Sequence, residues 1–215
     1  PSNAPNRFVI NIQPDQRQLL AKSLADSGIA AELSPMIRGR LLRIGERAVS
    51  AADYADDERA QRLIDREFNL SWRATLPPGN RLNQGSWFKP EEAGQGLASV
   101  EEGLAKTLGI KLGDALTFTI AGKETQVRVS SLRKLEWDSM RVNFFVLMPP
   151  GVIDDAPASY ITSFYLPADK AMLGRELVAQ FPNLTLIDVA QVLKQIQTVM
   201  EQVSSAVQFI FLFTL

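Results

Sequence analysis

The sequence contains neither cysteine nor histidine among its 215 residues. Without cysteine the chain cannot form a disulfide, use a thiolate nucleophile or bind zinc through sulfur. Without histidine it lacks the general base of most serine and cysteine hydrolases, and also the commonest metal ligand. Carboxylate catalysis and metal binding through oxygen atoms are the enzyme chemistries that these absences leave open.

The charges are almost balanced, with 23 Lys and Arg against 24 Asp and Glu and a net charge of −1. A chain of this kind has no basic field to attract nucleic acid, so no nucleic-acid partner is predicted. Hydrophobic residues make up 46% of the sequence and charged residues 22%, which is typical of a folded globular protein. The length predicts one large or two small domains.

Hydrophobic periodicity predicts an α+β fold made of two lobes. The opening residues read as strand, helix and strand, and the region around Tyr160 to Ile187 returns to the same order. These outer pieces, 7–50 and 159–205, are predicted to pair into a split βαβ lobe. The middle of the chain, 51–158, is predicted to form a β-rich inserted lobe.

Three local predictions concern the inserted region. The Pro- and Gly-containing stretch Leu76–Gly85 reads as a loop. Ser99 and Glu102 have the spacing of a capping box, which predicts a helix that begins at Ser99. Residues 141–148 are apolar on both faces from Phe144 onward, which predicts a central strand.

The last helix carries the most specific pattern in the sequence, because its apolar residues step alternately by four and three. One interpretation is that this stripe covers the sheet of its own domain. The other is that its lower half pairs with a second helix and continues rigidly into a bilayer. The stripe consists of Val189, Leu193, Ile196, Met200, Val203, Val207 and Ile210.

Residues 206–215 are almost wholly apolar and carry no charge. A helix that spans a membrane needs about 20 such residues, so this run is about half of one. We expect it to be the start of a transmembrane helix; the alternative is a terminal helix packed into the core. The residues expected to enter the membrane are Phe209, Phe211, Leu212, Phe213 and Leu215.

Candidate catalytic groups are few. Glu136 and Asp138 flank Trp137 and would share a face of an extended chain, so they are the best carboxylate pair, although a structural role is favoured. A basic stretch from Arg38 to Arg47 is expected to form a solvated edge or to pair with the acidic segment after Asp53; the alternative is contact with a lipid head group or an acidic ligand. No metal-ligand set and no glycine-rich phosphate loop are found, so no cofactor is predicted for this chain.

Several longer motifs resemble a known family. The run SVEEGLAKTLGIKLGD at Ser99–Asp114, followed by LTFTIAG, resembles the periplasmic domain of MacB/FtsX-type ABC transporter permeases. More specific similarity to the YbbP-like branch lies in APNRFVINIQPDQ, FNLSWRATLPPGNRL, LRKLEWDSMRVNFFVLMPPG and YITSFYLP, which begin at Ala4, Phe68, Leu132 and Tyr160.

The resemblance implies a two-lobed domain on the periplasmic side of the bacterial inner membrane, bracketed by transmembrane helices of a permease. A separate cytoplasmic ATPase would bind ATP and Mg. The domain would be non-enzymatic and would couple ATP hydrolysis to the movement of amphiphilic or lipid-like cargo, or of a partner protein. A second permease copy or a periplasmic protein are further implied partners. The alternatives are a passive scaffold that docks a partner enzyme, and a membrane-tethered hydrolase using Glu136 and Asp138.

Overall fold

A computed structural model describes the backbone of residues 3–214 and the side chains of residues 3–206. The expectation of a mixed helix and strand fold is confirmed. The helices are α1 Arg17–Asp26, α2 Glu58–Asp65, α3 Glu102–Leu108, α4 Met172–Gln180 and α5 Val189–Thr214. The strands are β1 Arg7–Ile12, β2 Ser34–Ile44, β3 Arg47–Ala48, β4 Phe68–Trp72, β5 Asn80–Gly85, β6 Leu97–Glu101, β7 Ala115–Ile120, β8 Lys123–Leu135, β9 Val146–Met148, β10 Ser159–Phe164 and β11 Thr185–Asp188.

The strands form one sheet in the order β11-β1-β10-β2-β4-β9-β6-β8-β5, with β3 beside β2 and β7 beside both β2 and β8. The pairs β4–β9 and β6–β8 are parallel, and the other pairs are antiparallel. Strand β2 is long enough to pair with β10 near its start, then with β4, and with β7 near its end. It therefore joins the strands from the two ends of the chain to those from its middle.

Two hydrophobic clusters stabilise the fold. In the first, Leu20 and Leu24 of α1 and Leu177 of α4 pack on Val9 and Phe164 of the sheet. The second lies around the later part of β2 and strands β4 and β6 to β9, and includes α3. The division of the chain at residues 50 and 159 remains a prediction.

The prediction of a loop over Leu76–Gly85 is wrong for its second half. Residues Asn80–Gly85 form β5, which pairs antiparallel with β8. The strand lies at the end of the sheet, and most of its side chains are exposed and polar. An edge strand held mainly by backbone hydrogen bonds has no hydrophobic alternation, so its sequence did not distinguish it from a loop.

The prediction that Ser99 caps a helix is also wrong, because Ser99 lies inside β6. Helix α3 begins at Glu102, and the carboxylate of Glu101 accepts hydrogen bonds from the backbone N–H groups of Gly103 and Leu104, at 2.8 and 2.7 Å. Strand pairing of β6 with β8 and β9 carries the extended backbone past the residue that the capping-box spacing selected.

The prediction of a strand over 141–148 is wrong for its first part, where the backbone is hydrogen-bonded by the buried guanidinium of Arg133. Only Val146–Met148 is strand. The carbonyl oxygens of Phe144 and Phe145 accept hydrogen bonds from Arg133 Nη2 at 2.8 and 3.2 Å. Other acceptors for Arg133 are Asn80 Oδ1 at 2.6 Å and Ser99 Oγ at 2.8 Å. The segment before β9 is therefore held mainly by the side chain of Arg133, together with one backbone hydrogen bond from Glu101 of β6 to the carbonyl of Phe145 at 2.8 Å.

Candidate functional site

Helix α5 extends from the sheet and is exposed along its described length. Its 26 residues give a length of about 39 Å at about 1.5 Å per residue. Every residue from Ala190 to Ala206 is exposed, including the large apolar side chains. Leu193 and Ile196 are each 50% exposed, and Met200 is 64% exposed. A stripe of this kind, on a helix with an exposed opposite face, needs a partner surface to become buried.

The exposure decides between the two interpretations of this stripe over residues 190–206. These side chains do not cover the sheet of their own domain. The residues that would pair with another helix, Val189, Leu193, Ile196, Met200 and Val203, lie along the described part of α5, and their pairing remains a prediction. Val207, Ile210, Phe209, Phe211, Leu212, Phe213 and Leu215 lie outside the residues whose side chains the structure describes.

The base of α5 is fixed to the sheet by strand β11 and one carboxylate. Asp188 ends β11, and its Oδ1 caps α5 by accepting a hydrogen bond from the backbone N–H of Gln191 at 3.2 Å. The same oxygen lies 3.4 Å from Arg7 Nη1, and Arg7 is paired with Asp188 across β1 and β11. The helix therefore leaves the sheet in a direction set by both backbone and side-chain contacts.

Asn6 joins the start of the described chain to the start of α5. Its carbonyl oxygen accepts a hydrogen bond from the backbone N–H of Val189 at 3.0 Å. Its side chain bonds both the carbonyl and the N–H of Leu166, at 3.1 and 2.8 Å. A single Asn beside Pro gives no local sequence signal for contacts with residues more than 150 positions away.

Glu136 and Asp138, the candidate carboxylate pair, lie on the surface. Both are exposed and lie at or beside the single 3₁₀ turn Trp137–Ser139, which follows β8. Within residues 3–206 no group of three or more acidic side chains is positioned to bind a metal ion.

The basic stretch from Arg38 to Arg47 forms two ion pairs. Arg47 pairs with Asp53 at 3.4 Å, which confirms the predicted ion pair with the acidic segment. Arg43 pairs with Glu124 of β8 at 2.9 Å.

None of the helices in the described part of the chain is both long enough and apolar enough to cross a bilayer. The expected start of a transmembrane helix at 206–215 falls almost entirely on residues whose side chains are not described, and it remains a prediction.

Sequence comparison relates this chain to the permease component of an ABC transporter. It is 39% identical over 197 residues to the ABC transporter permease YbbP of Escherichia coli (strain K12), and the match covers 91% of this chain. The chain spans 23% of the length of that relative. It is therefore homologous to one segment of an ABC transporter permease, and the resemblance to YbbP-like permeases is confirmed.

No protein-family model matches the chain. Among solved structures, the chain is similar to a permease-protein domain from Porphyromonas gingivalis, with a TM-score of 0.40 and 12% identity. That likeness covers 85% of this chain and 87% of the other.

Proposed function

We propose that this chain is a non-catalytic domain on the periplasmic side of a bacterial ABC transporter permease, and that α5 transmits movement between the membrane and the domain. Residues 7–50 with 159–205 would form one lobe and residues 51–158 the other. A separate cytoplasmic ATPase would bind ATP and Mg and supply the free energy. The transmembrane helices of the same permease would be the direct partners of α5.

The observation that carries the proposal is the exposed apolar stripe of a continuous helix that is anchored at one end. Asn6, Arg7 and Asp188 fix the base of α5 to the sheet. A helix with unbroken backbone hydrogen bonds is stiff over several turns, so tilting its far end would tilt the sheet. Similarity to an ABC transporter permease supports a transport role over a catalytic one.

A proline in α5 tests the transmission of movement. Gln202 is exposed, so Gln202→Pro removes a backbone hydrogen bond and introduces a steric clash, at a cost of about 3 kcal/mol or more, without disturbing a buried side chain. Gln202→Ala is the matched control, because it shortens the side chain and keeps the helix.

The measurement uses the full-length permease reconstituted with its ATPase. A donor fluorophore is attached at Glu91→Cys, an exposed position far along the chain from α5, and an acceptor is attached to the ATPase. We expect an ATP-dependent change in energy transfer in the otherwise unmodified protein and in Gln202→Ala, and its loss in Gln202→Pro. If Gln202→Pro retains the full change, α5 does not transmit the movement.

The same measurement separates the alternative of a passive scaffold. A domain that only docks a partner enzyme would give no ATP-dependent change even with the native helix. A membrane-tethered hydrolase using Glu136 and Asp138 is the remaining alternative, and the exposure of both carboxylates gives it no support. Cargo of amphiphilic or lipid-like character, or a partner protein, would be moved in the proposed function.

A further inference from the structure

One face of the sheet formed by β1, β10 and β2 is open along part of its length. Helices α1 and α4 pack on the opposite face, where Val9 and Phe164 are buried in the first hydrophobic cluster. Phe8, Ile161 and Met36 belong to these three adjacent strands, are half-buried, and line a cavity of about 490 Å³. The cavity continues onto Asn69 of the next strand, β4.

The segment between β8 and β9 forms an apolar wall over this cavity. Trp137, Met140 and Phe145 line it, and the rings of Trp137 and Phe145 meet edge to face at a centroid distance of 5.5 Å. Trp137 is nevertheless 56% exposed. An exposed indole beside an apolar floor is typical of a surface that binds an apolar group.

A second cavity, of about 440 Å³, lies beside the first and is mainly cationic. Its lining includes Arg73, Arg141 and Lys170, against one carboxylate, Glu32. Arg73 already pairs with Glu32 at 3.3 Å. Among the described residues, Arg141 and Lys170 take part in no ion pair, so the cavity has uncompensated positive charge.

The two cavities are halves of one groove, because Arg141 and Val142 line both of them. The floor also continues from one to the other: Ile161 of the apolar half is paired across the sheet with Ser34 of the cationic half. A ligand that follows the groove would therefore place an apolar segment at Trp137 and a negative charge at Arg141.

We propose that this groove binds an anionic single-chain lysophospholipid, with its acyl chain against Phe8, Met36 and Trp137 and its phosphate near Arg141. The proposal rests on the proposed function, for which it names a cargo class. At about 30 Å³ for a group of the size of a water molecule, 490 Å³ holds about 16 methylenes, which is one acyl chain.

The cationic half has room for a larger head group than a carboxylate. By the same measure its 440 Å³ holds about 15 non-hydrogen atoms, as in a glycerol-phosphate-glycerol head. The carboxylate of a fatty acid would fill only a small part of it. Arginine binds phosphate and carboxylate oxygens alike through two parallel hydrogen bonds, so the room in the cationic half, and not Arg141, favours the phosphodiester.

Direct titration of this chain tests the proposal with defined probes below their critical micelle concentrations. Calorimetry compares lauroyl lysophosphatidylglycerol, its zwitterionic phosphatidylcholine counterpart and myristate. We expect the anionic lysophospholipid to bind at least tenfold more tightly than either of the other two.

Two variants locate the binding. Arg141→Glu should weaken the anionic lysophospholipid at least tenfold and leave the zwitterionic one within about twofold, whereas Trp137→Ala should weaken both. Arg128→Glu is the matched control, because Arg128 is exposed on β8 and lies outside the lining of both cavities. Circular dichroism melts of each variant exclude unfolding.

Equal affinity for the three probes would overturn the assigned head group. The groove is not the binding site if Arg141→Glu binds like Arg128→Glu, or if Trp137→Ala binds as tightly as the unmodified chain. Any binding would then come from the apolar run 206–215. The titration needs neither permease nor ATPase. A failed titration with a successful proline test therefore rejects the groove and keeps the proposed function, and the opposite pair of results rejects only the proposed function.

Discussion

At the scale of single residues, Arg133 is a fully buried cation surrounded by neutral oxygen atoms. We expect Arg133→Met to lower the free energy of unfolding by about 2–5 kcal/mol, because each buried acceptor left without a donor costs about 1–3 kcal/mol. The acceptors on Asn80 and Phe144 would remain buried without this donor. Urea titration measures this variant against a control, Arg128→Met, at an exposed position on the same strand. The control should change the free energy of unfolding by about 0.5 kcal/mol or less.

Burial also lowers the pKa of Arg133 from its ordinary value to about 10, while Glu101 opposes this shift. The folded state therefore holds the proton less tightly than the unfolded state, and the charge costs stability at every pH below 10. That cost would fall only as the pH rises above 10 towards the ordinary pKa of arginine. The stability difference between Arg133→Met and the native chain should consequently be constant from pH 6 to 9, and a slope in this range would contradict the assignment.

At the scale of elements, the junction of β11 with α5 depends on Asp188. Asp188→Ala removes the cap, worth about 0.5–2 kcal/mol, and a partly exposed ion pair worth about 0–1 kcal/mol. We expect a loss of about 1–2 kcal/mol in unfolding and faster amide hydrogen exchange in the first turn of α5. Asp26→Ala removes the exposed pair with Lys22 and should leave both measurements nearly unchanged. Unchanged exchange in Asp188→Ala would mean that β11 alone fixes the helix.

Elements with strong local signals were predictable from the sequence. The cap at Asp188 and the hairpin β7–β8 follow from spacing within a few residues. Strand β5 was missed because its pairing with β8 joins residues about 50 apart and leaves polar side chains exposed. Ser99 was misread because its hydroxyl bonds Arg133 and Ser131, which no nearby residue indicates.

At the scale of the whole molecule, the groove could not be predicted at all. Its floor comes from four adjacent strands that are widely separated in the sequence, and its wall comes from the segment around Trp137. The sequence indicates that Trp137 could line a pocket, but it does not indicate which strands the ring would face. The apolar stripe on α5 was predictable from the sequence. Its exposure was not, because it depends on where the sheet ends, which is set by the complete topology.

An exposed apolar stripe on a 26-residue helix has a direct consequence for this chain on its own. With no permease helix beside it, α5 should pair with α5 of a second copy, because burying Leu193, Ile196 and Met200 removes apolar surface from water. Ile196→Gln with Met200→Gln should weaken this association at least tenfold in sedimentation velocity. Gln195→Ala with Thr198→Ala, on the outward positions of the same turns, should leave it unchanged. Equal association of both double variants would mean that residues beyond Ala206, and not this stripe, bring the copies together.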